Sequence, residues 1–198
     1  SGFDMRSSSS NSGCYGTDIF VTKLDENGNH LWTITGGASG RTDFAFGVDI
    51  SAAGDIAVAG SINVPTNSWV GSCPVLGGAT FTNMTGQAAS LGEEDILLIH
   101  INSAGTAVQA VSAGSSQHDR GRDVKWVNGQ IVLTGDFQGT GRFGTQVRTA
   151  IGVKDLFVGM YSRQSLNPLW VRTMGRANGR TRGDKIAINR CSEITVGV

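Results

Sequence analysis

An all-β fold follows from three observations on this 198-residue chain. Short apolar runs alternate with turns rich in Gly, Asn, Asp and Ser. Glycine is abundant (29) and proline scarce (3), the composition of many short strands joined by tight turns. No window keeps the i, i+3, i+4 spacing of an amphipathic helix over more than about two turns. One four-run unit also returns along the chain, which marks a repeat architecture.

The lead-in, residues 1–16, is polar and Ser-rich, yet Gly2-Phe3-Asp4 echoes Arg142-Phe143-Gly144. It therefore reads as an insertion between two strands, the tail of a repeat. The first clear unit, 18–62, holds apolar runs at 18–24, 31–35, 46–50 and 55–60. The turns Asp25-Glu26-Asn27-Gly28-Asn29, Gly36-Gly37 and Ala53-Gly54 separate them. Further copies are assigned to 95–138 and 155–198. Asp18-Ile19-Phe20-Val21 aligns with Asp95-Ile96-Leu97-Leu98 and Asp155-Leu156-Phe157-Val158. Gly47-Val48-Asp49-Ile50 aligns with Asp123-Val124-Lys125-Trp126 and Lys185-Ile186-Ala187-Ile188. The separation of Trp32 from Ile56 is 24 residues, and that of Trp170 from Ile194 is also 24. The spacing of the repeated aspartates falls from 77 to 60 because of one insertion, residues 63–94. Length variation at one fixed place in a repeat falls on one edge of the stack, often the binding edge.

A unit of about 40–60 residues with four strands is the arithmetic of a β-propeller blade. Runs such as Ile56-Ala57-Val58-Ala59-Gly60 are too continuously apolar for a sheet with one wet face and suit one covered on both sides. Ala57, Ala59 and Gly60 would let neighbouring sheets approach closely, while Trp32 and Trp170 would fill the wider gaps. The predicted fold is a β-propeller of four-stranded antiparallel blades, partial, with about three repeats.

The pattern Asp18-Ile19-Phe20-Val21-x-Lys23-Leu24-Asp25-x-x-Gly28-Asn29-x-Leu31-Trp32, followed by Gly36-Gly37, Asp43-x-Ala45-x-Gly47-Val48 and Gly54-Asp55-Ile56-x-Val58-x-Gly60, resembles the bacterial seven-bladed β-propeller repeat. More distantly it is similar to NHL-type propeller repeats, whose strand order implies half a blade first (18–35), two whole blades (43–112 and 119–173) and half a blade last (185–198). The later copies depart from it: Asp123 replaces Gly47, and Thr181 stands at the place of Asp43. The resemblance implies bacterial surface or secreted proteins, an extracellular or cell-surface location, and no shared catalytic residue or cofactor.

Sixteen basic and sixteen acidic residues balance, which gives no general attraction to nucleic acid, and no run approaches the roughly 20 apolar residues of a membrane-spanning helix. The ends are polarised: residues 1–60 carry three cations against seven anions, and residues 154–198 carry eight against three. Cys14, Cys73 and Cys191 form no zinc pattern. Cys14 and Cys73 are the candidate disulfide, with no disulfide as the alternative.

Asp18, Asp95 and Asp155 read as caps at strand starts rather than a cation ring. The Asn27-Gly28 turn reads as a hairpin rather than a calcium loop. Glu93-Glu94-Asp95 reads as a solvated strand start. His118-Asp119-Arg120 is the one local cluster with acid–base potential, but no nucleophile motif accompanies it. Arg172, Arg176, Arg180 and Arg182 could grip a phosphate, sulfate or acidic glycan, and Trp69 and Phe81 in the insertion could stack on a sugar or protein partner. The expected function is a non-catalytic binding or structural module with a protein or glycan partner and no metal. The alternatives are a propeller enzyme acting on glycans, or an assembly subunit that completes blades with neighbouring chains.

Overall fold

The computed structural model describes residues 19–36, 42–63, 79–80 and 92–198. Their strands are β1 (Ile19–Leu24), β2 (His30–Gly36), β3 (Phe44–Ile50), β4 (Ile56–Ile62), β5 (Ala79–Thr80), β6 (Asp95–Ile101), β7 (Ala107–Ala113) and β8 (Arg120–Val127). They continue with β9 (Gln130–Phe137), β10 (Thr140–Phe143), β11 (Gln146–Thr149), β12 (Asp155–Tyr161), β13 (Pro168–Met174), β14 (Lys185–Ile188) and β15 (Ile194–Gly197). No helix occurs among the described residues. Two four-stranded antiparallel sheets, β3-β4-β6-β7 and β8-β9-β12-β13, lie between the hairpins β1-β2 and β14-β15. β5 adds to β2 in parallel.

The sheets stack face to face in chain order, with a core in each gap. Ile19, Val21 and Ile34 meet Ile56, Val58, Leu97 and Ile99 in the first. Ala57, Ala59, Ile96 and Leu98 meet Val124, Ile131 and Leu133 in the second. Val127, Val132 and Val158 meet Ile186 in the third. Every residue of β4 is buried, because alternate side chains point into opposite cores. Bulk sits on one face of β4 and alanine on the other, so β8 settles directly against β3 and β4. Trp32 closes the first gap by lying over Gly105 of the β6–β7 turn, where a Cβ would stand 2.8 Å from the indole.

Two devices recur. The first strand of each four-stranded sheet carries a β-bulge: Phe46 is the extra residue in β3, and Arg122 is the extra residue in β8. An aspartate also opens both strands. Asp43 Oδ1 accepts the Asn63 N–H at 2.9 Å, and Asp119 Oδ1 accepts that of Gln138 at 2.7 Å. The tight turns are likewise closed by side chains. Asp25 accepts the N–H groups of Asn27 and Asn29 at 2.9 and 2.8 Å, and Asn102 accepts those of Ala104 and Thr106. The Asp25 carboxylate is therefore committed to a hairpin turn with Gly28 at φ +80°.

The β10–β11 hairpin, which the apolar pattern did not single out, connects β9 to β12 in the chain and stands outside their sheet, in which β9 and β12 pair directly. Its Phe143 is fully buried against Phe137 and Phe157, with ring centroids 5.5 and 5.1 Å apart. Its Arg142 backbone pairs with Gly114.

Candidate functional site

Antiparallel order places the β3–β4, β6–β7, β8–β9 and β12–β13 turns at one end of the sheets. The longer connections leave from the other end. That second end carries β10–β11, the end of β4 at Ile62, the start of β6 at Asp95 and the loop from β13 to β14. It also holds a cleft of about 340 Å3 lined by Arg120, Arg122, Asp136, Lys154, Arg180, Thr181 and Arg182, with Val198 at its edge.

Asp136, at the C-terminal end of β9, is fully buried at the base of this cleft. Its carboxylate accepts from Arg122 Nε and, at 2.6 Å, from Lys154 Nζ. The bulge in β8 is what turns Arg122 toward it, since the extra residue leaves the pairing register. Lys154 precedes β12 and also donates to the His118 carbonyl at 3.0 Å. Arg120 is held by Glu94 through two donors, Nε at 2.9 Å and Nη2 at 2.7 Å. Arg182 Nε reaches Asp184 at 3.2 Å.

Glu94 corrects the expectation of a solvated strand start. It is buried and also accepts the Ser61 hydroxyl at 2.6 Å, and Asp95 is buried with it. Of the three acidic residues only Glu93 is exposed. Burial alone would raise the Glu94 pKa, but the Arg120 and Ser61 hydrogen bonds and the Arg120 and His118 charges outweigh it and hold the carboxyl below its ordinary value of 4.5. A depressed carboxylate contributes stability that is full above that ordinary value and is lost as pH falls below it toward the folded-state pKa. Glu94→Gln should therefore lower stability at neutral pH and flatten the acid limb below about pH 4.5. Denaturant midpoints measured from pH 3 to 7 check this, and an unchanged acid slope in the variant contradicts it.

His118 stands 2.6 Å from Glu93 and 3.5 Å from Glu94 on an exposed loop. Asp119 turns away from it: the carboxylate is fully buried and accepts from the Ser115 and Gln138 backbone N–H groups. Burial pushes its pKa up. The triplet His118-Asp119-Arg120 is thus split: His118 and Arg120 both face Glu94, while Asp119 serves the backbone. Asp155 and Asp95 serve their strand starts, Asp155 accepting from Ile151 and Gly152 at 2.8 and 2.9 Å and Asp95 from Gly92 at 3.1 Å. Asp18, Cys14, Cys73, Trp69 and Phe81 lie outside the described residues. Cys191 is exposed and free.

Arg180 and Arg182 line the cleft, whereas Arg172 and Arg176 are not among its lining residues. Sequence reading placed Arg120 in an acid–base triplet and missed Arg122 and Lys154, since no spacing rule joins residues from β8 and the start of β12. The backbone beside Arg182 is tied down: the Gly183 N–H donates to the Gly135 carbonyl at 3.1 Å.

At the opposite end, His100 is buried 3.5 Å from Asp55, whose carboxylate also pairs with Arg163 at 2.7 Å. Burial lowers the His100 pKa against the pull of Asp55, with Arg163 adding to the lowering. The ring packs edge-on to Trp126 at 5.6 Å. Among the described residues, no group of three or more His, Cys, Asp or Glu side chains is placed to hold a metal ion. No protein-family model matches this chain, and no curated protein matches it.

Proposed function

We propose that the chain is a segment of a β-propeller of the bacterial seven-bladed repeat type, serving as a non-catalytic binding or structural module of a surface or secreted protein. Its partner, a protein or a glycan, is recognised at the end of the sheets that carries the long connections. One comparison carries the reading. Val48 and Ile50 of β3 are 58% and 54% exposed, while Val124, the counterpart of Val48, is 0% exposed. Val124 is covered by the alanine face of β4 in the preceding sheet. The outer face of β3 is therefore shaped to receive another sheet of the same kind. The far face of β14–β15 carries the small residues Ala187, Thr195 and Gly197, with Lys185 beside Gly197, all exposed. Sheets that stack repeatedly through one interface, with their first strands adjacent, form a ring.

Electron microscopy of the longest native form tests the architecture: a ring of radial sheets is expected, and an open stack overturns it. A reproducible glycan hydrolase or lyase activity that His118→Ala abolishes would overturn the non-catalytic part. Substitution of the paired valines offers a second check. Val124→Ala should cost about 2 kcal/mol. In the 198-residue chain, Val48→Ala should stay within about 0.5 kcal/mol. Equal costs there would mean that β3 is already covered.

A further inference from the structure

We propose that the cleft between β8, β9 and the loop leading to β14 is a binding site for a tetrahedral oxyanion, a sulfate or phosphate group. This names the ligand chemistry of the binding-module reading and rests on it, though not on the number of blades.

Charge is the first support. The cleft gathers five cationic side chains, Arg120, Arg122, Lys154, Arg180 and Arg182. They face three carboxylates, Glu94, Asp136 and Asp184. The nearby Glu93 is engaged by His118. Among side chains two positive charges are left over, and Asp136 at the base is already shared between Arg122 and Lys154.

Donor geometry is the second. Arg122 and Arg182 each commit only Nε to a carboxylate, and Arg180 commits no side-chain nitrogen to any partner among the described residues. The terminal amino groups of three guanidinium forks are thus free to donate into one cleft, with the Thr181 hydroxyl beside them. A carboxylate offers two oxygens to such donors. A sulfate or phosphate offers three or four, and guanidinium forks match their edges.

Preorganisation is the third. Asp136 is fully buried and positions Arg122 and Lys154 before any ligand arrives, so little side-chain entropy is lost when an anion binds. The charge surplus that the sequence places in residues 154–198 is partly concentrated here through Lys154, Arg180 and Arg182.

The test is titration calorimetry on the intact chain at low salt with inorganic sulfate, inorganic phosphate, a heparin-derived sulfated oligosaccharide and an uncharged oligosaccharide of equal length. Arg180→Ala and Arg182→Ala are the informative variants, being exposed and clear of the buried pair. Each should weaken binding of the charged probe by about tenfold or more, while Arg172→Ala and Arg176→Ala leave it unchanged. Binding should fall as salt is raised. Tight binding of the sulfated oligosaccharide with millimolar competition by free anions assigns the group to a glycan. Equal binding of the inorganic anions assigns it to a free ion. No binding of any charged probe, or binding indifferent to Arg180 and Arg182, overturns the site. A ring seen by microscopy with no anion binding would leave the propeller standing and remove only this inference.

Discussion

Gly135→Ala should destabilise the protein by about 3 kcal/mol or more, at the upper end of the cost of overpacking a core. A Cβ on Gly135 would stand 1.8 Å from the Arg120 carbonyl oxygen and 2.8 Å from the Phe157 ring. Neither can yield cheaply. The carbonyl belongs to β8 just before its bulge, and Phe157 is fully buried. The counterpart Gly60 has the same problem, its Cβ falling 2.0 Å from the Phe44 oxygen. The bulge in the first strand drives a carbonyl over the second, and only glycine leaves room beneath it. Gly60→Ala should therefore resemble Gly135→Ala. Denaturant unfolding checks both, and a wild-type midpoint for either would mean that the bulge does not press on the glycine.

Asp136→Ala should cost about 3 kcal/mol, because removing one member of a buried ion pair strands the others without compensation. Asp136 is fully buried, and the Arg122 and Lys154 side chains are mostly shielded. Asp136→Asn keeps the shape and one acceptor oxygen, so its cost should be smaller. The order wild type, Asn, Ala in thermal midpoints is the measurement. An alanine variant as stable as wild type would show that Arg122 and Lys154 reach water without difficulty. High concentrations of sulfate should restore part of the stability lost in either variant, since the anion would replace the missing carboxylate.

Much of the fold was legible from pattern. The runs at 18–24, 31–35, 46–50 and 55–60 became β1 to β4 with shifts of one or two residues at their ends. The division into a hairpin, two four-stranded sheets and a second hairpin matches the strand order that the resemblance to propeller repeats implied, while the strands themselves were readable because the alternation of apolar runs and turn residues is a local property. The turn built on Asp25 was legible for the same reason. Glu94 was misread because an acidic triplet looks solvated until Ser61 and Arg120 are brought onto it from β4 and β8. The hairpin β10–β11 was obscure because its strands are short and polar, with Phe143 its one fully buried anchor.

By itself the sequence determined the strands and their turns, which local propensity and periodicity carry. It also held a surplus of arginine and lysine near its end. Only the tertiary structure decided which of those cations meet. A β-bulge turned Arg122 inward, and buried Asp136 drew Lys154 from another strand. Stacking then left Arg180 and Arg182 beside them. Such meetings depend on register and sheet packing between residues far apart in the chain, and spacing along the chain does not encode them.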